Sequence, residues 1–276
     1  MDLNERLLCN RVALITGAGR GIGRAVALAF ARQGAAVAVT ARSTSELDET
    51  VCLIQQAGGV AIAAPADVTD PDAVQRVVEV TERELGPISI LVNDAGIAGP
   101  TGPLWENDTA DWWRTVETHL RGAFLLTHAV VRGMIARGSG GHVLTMASGA
   151  ALKAQSNFSA YSIAKTAQVR LMETLAEEGR EHGIVAFAVS PGLIHTAMME
   201  SMITDPAVAK WRPDYLQRII ENRDHGDLAV AAEQATRLCV TLASGHVDLL
   251  SGGHFHPTHD IEAALAKARA EPAPGI

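Results

Sequence analysis

The stretch Val12-Ala13-Leu14-Ile15-Thr16-Gly17-Ala18-Gly19-Arg20-Gly21-Ile22-Gly23 decides the fold. An apolar, β-leaning run meets a glycine turn, and the turn opens a helical stretch rich in Ala, Val and Leu from Ala25 to Ala31. A strand, a tight glycine turn and a helix N-terminus in series make a site for a pyrophosphate, because unpaired backbone N–H groups and the helix dipole both face the anion. The glycines let the backbone turn sharply and approach its ligand. The generic G-x-G-x-x-G fingerprint fails, since counting from Gly17 puts Ile22 in its third place. The pattern that fits is T-G-x-x-x-G-x-G, with Gly17, Gly21 and Gly23 in the glycine places and Gly19 between them.

Outward from that turn, apolar runs alternate with amphipathic stretches, the mark of repeated βα units. The pattern predicts strands near 11–16, 36–41, 60–64, 88–93, 141–146, 184–190 and 247–251, and helices near 22–33, 45–57, 71–85, 109–137, 157–182 and 229–243. The strands are almost continuously apolar, as in a parallel sheet covered on both faces. The fold class expected is α/β, a Rossmann-like doubly wound parallel sheet of about seven strands. Asp70 and Pro71 open a helix that Gly86 and Pro87 close. The segment 197–227 has no strand and is long for a connection; it reads as a partly helical lid. No linker or repeat divides the chain, so residues 1–276 are expected to form one domain with a core over about 8–260. The tail 261–276 is expected to be a short helix followed by frayed residues.

Bulk properties exclude several classes. With 276 residues, 47% hydrophobic and 20% charged, the chain can bury a substantial core. A net charge of −8 with no basic run disfavours nucleic-acid binding. Cys9, Cys52 and Cys239 are far apart and odd in number, which fits a reducing cytoplasmic setting. Residues 1–9 do not read as a signal peptide, and no apolar run is long enough to span a bilayer.

Further along, Ser148, Tyr161 and Lys165 stand at a meaningful spacing. Tyr-x-x-x-Lys puts a phenol and an ammonium one helical turn apart. A nearby ammonium favours the phenolate, which would lower the Tyr161 pKa toward neutrality and make the residue a general acid and base. Thirteen residues earlier, Ser148 ends the fifth strand.

Together, T-G-x-x-x-G-x-G and the Ser, Tyr and Lys resemble the short-chain dehydrogenase/reductase family from about Arg11 to about Gly252. The resemblance implies a nicotinamide-dependent oxidoreductase. Tyr161 would exchange the proton, Ser148 would bind the substrate oxygen, and Lys165 would tune Tyr161 and hold the nicotinamide ribose. The nucleotide would lie on Gly17, Gly19, Arg20, Gly21, Ile22 and Gly23. Asp67 and Val68 match the pair at the adenine. Asn93-Asp94-Ala95-Gly96 matches the family's Asn-Asn-Ala-Gly, which puts Asn93, Ala95 and Gly96 at the adenosine ribose region; Asp94 departs from the pattern and is read as structural. Pro191, Gly192, Ile194 and Thr196 match the segment that embraces the nicotinamide. In His119-Leu120-Arg121-Gly122-Ala123-Phe124 a histidine replaces the family's relay asparagine; His119 either keeps a proton relay to Lys165 or is a buried packing residue.

An acidic residue ending the second strand selects NAD. By the family's pattern that place is Ala41, followed by Arg42 and Ser43. A missing carboxylate beside a guanidinium suits a 2′-phosphate, so the expected cofactor is NADP(H) over NAD(H), with Arg20 adding charge. Ile97, Leu104, Trp105, Leu152, Phe158, Leu193, Met198, Met199, Met202, Ile203 and Trp211 are expected to wall a pocket for a medium-sized hydrophobic ketone or secondary alcohol. His195 is either a substrate contact or a loop residue. His254, His256, His259 and Asp260 invite a metal reading, but the resemblance implies no catalytic metal and none is expected. A redox-neutral or redox-assisted epimerase, and a nucleotide-binding regulator without turnover, are the competing functions. Related proteins pair their long fifth and sixth helices, so a homodimer or homotetramer acting on a small molecule away from membranes is expected.

Overall fold

The computed structural model describes residues 6–270; the first residues of the chain and the end of its expected frayed tail lie outside them. Along the chain come β1 (Val12–Thr16), α1 (Gly21–Arg32), β2 (Ala36–Thr40), α2 (Thr44–Gln56), β3 (Val60–Ala63), α3 (Pro71–Leu85) and β4 (Ile90–Asn93). Then α4 (Thr109–Val116), a π turn (Glu117–Arg121) and α5 (Gly122–Arg137) lead to β5 (Gly141–Met146). α6 (Ser159–Glu178) precedes β6 (Ile184–Val189), and α7 (Ala197–Ile203), α8 (Pro206–Trp211) and α9 (Pro213–His225) follow it. α10 (Leu228–Ala243), β7 (His254–Phe255) and α11 (Ile261–Ala270) complete the order.

All seven strands are parallel, in the order β3-β2-β1-β4-β5-β6-β7. Connections run outward in one direction from β1 and in the other from β4, so a crevice opens at the strands' carboxyl ends where the direction reverses. Alternate residues of each strand face opposite layers. Ile15, Val37, Val39, Val92, Leu144 and Phe187 pack on one side with Val26 and Phe30 of α1 and Leu238 and Leu242 of α10. Leu14, Ala38, Leu91, Val143 and Ala186 pack on the other with α3, α5 and α6 through Val74, Val77, Leu126, Val130 and Met172. A smaller cluster of Phe158, Met199, Met202, Val208 and Ile219 seats α7 to α9 over the crevice.

The helix signals act as the sequence predicts at α3. Asp70 accepts from the N–H groups of Asp72 and Ala73, Pro71 takes the first turn, and Gly86 ends the helix at φ 96°. Three elements differ. The expected strand 247–251 is a 3₁₀ turn over Asp248–Leu250, and the edge strand is His254–Phe255. The reason is that Leu249 points to solvent, Ser251 Oγ accepts from Ala186 N, and backbone bonding to β6 begins only at Gly252, at φ 88°, whose N–H donates to Ala186 O at 2.7 Å. The expected helix 109–137 is interrupted by the π turn, which turns His119 inward to 1% exposure. The expected helix 157–182 starts at Ser159, because Asn157 adopts φ 59°, and ends in a separate 3₁₀ turn over Arg180–His182. The lid is fully built from three short helices.

Gly23 is a packing glycine between α1 and the turn. A Cβ there would lie 2.6 Å from Gly17 O and 2.8 Å from Asp94 Oδ2. Gly23→Ala should lower stability by about 1–3 kcal/mol, read as a shift in the denaturant midpoint with unchanged slope.

Candidate active site

A cleft of about 860 Å³ occupies the crevice at the carboxyl ends of the strands. Its floor at one end is the turn after β1. Thr16 Oγ1 accepts from the N–H groups of Asp94 and Ala95 at 2.9 and 3.0 Å, tying β1 to the segment after β4. Gly17, at φ 66°, has no room for a side chain, since a Cβ would sit 2.9 Å from Ala95 N. Gly19 and Gly21 also line the cleft, and Arg20, the N-cap of α1, makes no side-chain bond to the helix's first N–H groups. A bare backbone cradle at the start of a 12-residue helix fits a pyrophosphate. Thr196, which caps α7 by accepting from Met199 N, stands over Gly21: a Cβ there would be 3.5 Å from Thr196 Cγ2.

Most residues assigned to the cofactor line this cleft: Gly17, Gly19, Arg20, Gly21, Ile22, Arg42, Ser43, Asp67, Val68, Ala95, Gly96, Pro191, Gly192, Ile194 and Thr196. Two do not. Gly23 packs α1 as described. Asn93 is buried, and its Nδ2 donates to Thr127 Oγ1 and Thr145 Oγ1 at 3.1 and 3.3 Å, bracing β4 rather than facing a ribose. Arg20 is already paired with Glu46 at 3.2 Å, so it adds little free charge. Arg42 lines the cleft without an ion pair among the described residues.

At the other end, Ser148, Tyr161 and Lys165 converge. Ser148 caps the 3₁₀ turn after β5, accepting from Ala150 N at 3.2 Å, and its hydroxyl lies close enough to the Tyr161 phenol to favour its ionised form. Lys165 Nζ donates to the Met146 carbonyl and lies 5.5 Å from the centre of the Tyr161 ring. The sequence reading had Lys165 lowering the Tyr161 pKa. Instead burial raises it to about 12, with the Ser148 hydrogen bond opposing and Tyr215 and Asp94 adding to the rise. The reason is that the ammonium turns to a strand carbonyl while the ring packs between Phe158 and His119. The phenol is therefore protonated at neutral pH. Lys165 is itself pushed down by burial, and Asp94 opposes that shift. Burial pushes Asp94 up, against the attraction of Lys165 and a bond from Gly23 N. Asp94, read from sequence as structural, is the charge that faces the lysine.

His119 is not hydrogen-bonded to Lys165. Its Nε2 is 2.7 Å from the Ile97 carbonyl, its ring meets Tyr161 edge-on at 5.2 Å, and it fills the space where a Gly96 Cβ would be. Burial first, and Lys165 second, lower its pKa to about 3. The ring is held neutral, packed on Tyr161 and against the Ile97 backbone. His195 bonds Glu200 at 2.9 Å and does not line the cleft. His254 bonds Ser190, and among the described residues no group of three or more His, Cys, Asp or Glu is arranged around a metal position.

Six of the expected apolar wall residues line the cleft: Ile97, Phe158, Leu193, Met198, Met199 and Met202. Leu104, Trp105 and Leu152 are exposed instead, Ile203 packs against the lid's own cluster, and Trp211 lies under Lys210. Polar residues that the sequence reading missed are present: Lys153, Gln155, Arg212, Tyr215, Arg218 and His256. The spacing of Arg212, Tyr215 and Arg218, three apart on one helical face, was the available signal.

The buried imidazole gives a stability test. An unfolded chain protonates it below about 6.5, whereas the folded ring resists until about 3. The unfolded state therefore binds more protons in that window, and stability falls as pH drops. Asn does not titrate, so the deficit of His119→Asn against the native protein should shrink by about 2 kcal/mol between pH 7 and pH 5, measured by urea unfolding.

Comparison with known proteins agrees with this geometry. The family model for short chain dehydrogenase matches residues 11–207. A short chain dehydrogenase of Pseudocercospora fijiensis is 35% identical over 96% of this chain and 85% of its own. Gluconate 5-dehydrogenase of Gluconobacter oxydans is 36% identical over 72% of this chain and 77% of its own. The crystal structure of a short-chain type dehydrogenase/reductase from Mycobacterium marinum superposes with a TM-score of 0.79 at 32% identity, over 92% of this chain and 96% of that one. A nucleotide cradle at the sheet's switch point, a serine, tyrosine and lysine meeting beyond it, and these matches over most of the chain make it a member of the short chain dehydrogenase family, a nicotinamide-dependent oxidoreductase.

Proposed function

We propose that the protein is an NADP(H)-dependent oxidoreductase that interconverts a ketone and a secondary alcohol of medium size, with Tyr161 as the general acid and base. The observation that carries this reading is the meeting of the Ser148 hydroxyl and the Tyr161 phenol in one cleft with the glycine cradle. Bound nicotinamide supplies the hydride acceptor or donor. The residues that would hold it are the glycine turn, Asp67 and Val68, Ala95 and Gly96, and the segment from Pro191 to Thr196.

The chain's own groups do the rest. In reduction, negative charge develops on the substrate oxygen, and donors aimed at that oxygen stabilise the transition state. Tyr161 is protonated and supplies the proton, while Ser148 hydrogen-bonds the same oxygen. The Lys165 ammonium favours the phenolate left behind. Ile97, Phe158, Leu193, Met199 and Met202 exclude water from the reacting carbon. The named activity of the gluconate relative, a dehydrogenase of a hydroxylated substrate, supports a carbinol as the reduced partner here.

NADP(H) is favoured because β2 is followed by Ala41, not a carboxylate, and Arg42 lines the cleft without a close ion pair among the described residues, its charge felt by Asp67. A homodimer is favoured by an apolar groove outside the cleft, lined by Trp113, Val116, Leu120, Phe124 and Leu171 of the paired-helix face.

Two measurements test the reading. Tyr161→Phe should cut turnover by about a hundredfold or more while NADPH still quenches or shifts intrinsic fluorescence on binding; near-normal turnover removes the assignment. Arg42→Ala should raise KM for NADPH by about 10- to 100-fold, the worth of one charge-assisted hydrogen bond, and leave KM for NADH unchanged. Equal loss with both cofactors would return the preference to an open question of the ribose hydroxyls.

A further inference from the structure

The substrate end of the cleft holds a guanidinium with no carboxylate partner among the described residues. Arg212 sits between α8 and α9, its side chain half-buried. It is sandwiched by rings, 4.3 Å from the centre of Tyr215 and 4.5 Å from that of Phe158. Nη2 donates to Gln155 Oε1 at 3.0 Å. Nη1 is shut from solvent and has no hydrogen-bond partner. Among the described residues no carboxylate pairs with Arg212, nor with Arg218 or Lys153, which line the same end. In a chain with 31 acidic and 23 basic side chains, three unpaired cations in one cleft are not the default. An unpaired, desolvated charge is costly, and buried groups of this kind cluster where a ligand completes them.

The guanidinium is also held in place. Asn157, at φ 59°, donates from Nδ2 to the Trp211 carbonyl at 3.0 Å, fixing the backbone just before Arg212. Gln155 and Asn157 belong to the loop that leads into α6, so the segment that delivers Tyr161 also fixes Arg212. Phe158 stacks on Tyr161 at 4.7 Å and on the guanidinium at its other contact. The guanidinium is thus two ring contacts from Tyr161, and Arg212 lines the wall of the same cavity.

We propose that Arg212 is an anion anchor for the substrate, and that the substrate is a hydroxy or oxo monocarboxylate whose carboxylate pairs with Arg212 while its carbinol or carbonyl carbon lies at Ser148 and Tyr161. The inference rests on the redox reading above and adds the substrate's class to it. A planar guanidinium matches a carboxylate in geometry and charge. A phosphoryl group, with nearly two charges and three acceptor oxygens, would need a second placed donor. Arg218 touches the Tyr215 ring at 5.2 Å, and no hydrogen bond among the described residues fixes either Arg218 or Lys153 in place.

The test uses the full-length protein with NADP⁺ and NADPH and a panel of hydroxy and oxo acids of four to ten carbons, each beside its methyl ester and, where available, the phosphate monoester of the same carbon frame. At least one acid should exceed its ester in kcat/KM by about tenfold or more, one charge-assisted contact's worth. Arg212→Gln should erase that preference by raising KM for the acid while the ester is little changed, and Arg212→Lys should restore part of it. NADPH affinity should stay constant in both variants, which reports an intact fold. Equal acid and ester rates, an acid preference that survives Arg212→Gln, or preference for the phosphate ester each overturn the anchor while leaving the reductase reading standing. Calorimetric binding of an acid to the NADPH-loaded protein, lost in Arg212→Gln and without turnover of any panel member, would keep the anchor and remove the redox reading. Absence of both binding and turnover with every acid overturns the anchor.

Discussion

A lysine ammonium kept out of water sets the terms for the catalytic end of this molecule. Lys165 is 4% exposed, and its position one turn after Tyr161 on α6 leaves it beneath the phenol rather than beside solvent. A cation in that place must be compensated. The Met146 carbonyl at the end of β5 accepts from it, and the Asp94 carboxylate after β4 faces it. The consequences spread to neighbours. His119 is held neutral by its burial, with the Lys165 charge adding to the effect, and hydrogen-bonds the Ile97 backbone. Asp94 holds its own proton more tightly than a surface aspartate because it too is buried. An amide at position 94 would satisfy the Gly23 N–H but not the ammonium, which gives a physical reason for the acidic residue in this chain.

The fold supplies the compensation at little structural expense. Strands β4 and β5 lie side by side in the sheet, with Asn93 opposite Thr145, so the chain ends that leave them are neighbours. One delivers Asp94 to Gly96, the other Met146 to Ser148. α6 then crosses behind, and the π turn between α4 and α5 fills the remaining space with the His119 ring. A regular helix over those residues would carry the ring to a different face, since one extra residue in a turn rotates everything that follows it. Gly96 is the counterpart of that rotation: the imidazole occupies the place its side chain would take.

Much of this was legible in the amino-acid order. The glycine turn after β1 and the Ser, Tyr and Lys spacing identify the crevice and its two ends, because their meaning is local: a turn that needs Gly17 at positive φ, a pair one helical turn apart. What was not legible depends on packing across elements. Asn93 looked like a ribose contact, yet it braces two threonines on neighbouring elements. Gly23 looked like part of the phosphate cradle, yet it is required by Gly17 O and Asp94. Leu249 and Leu250 gave β7 the wrong address, because apolar content alone does not say which residues find a ladder. Trp105 and Leu104 were placed in the pocket by hydrophobicity, and solvent took them. The rise of the Tyr161 pKa was hidden for the same reason: a spacing rule sees the ammonium but not the burial.

The charge of the cleft runs against that of the protein. With a net charge of −8, the average surface repels anions. The cleft nonetheless carries Arg42 at its nucleotide end and Lys153, Arg212 and Arg218 at the other, none in an ion pair among the described residues. The first group suits the proposed 2′-phosphate of the cofactor. The second group would be idle, and unfavourably desolvated at Arg212, if the substrate were a neutral ketone. Apolar residues around Phe158 and the lid methionines then act as the low-dielectric walls that strengthen a single guanidinium's pull on an anion. Phe158 is common to both ends of that arrangement: it stacks on Tyr161 at 4.7 Å and holds one face of the Arg212 guanidinium at 4.5 Å.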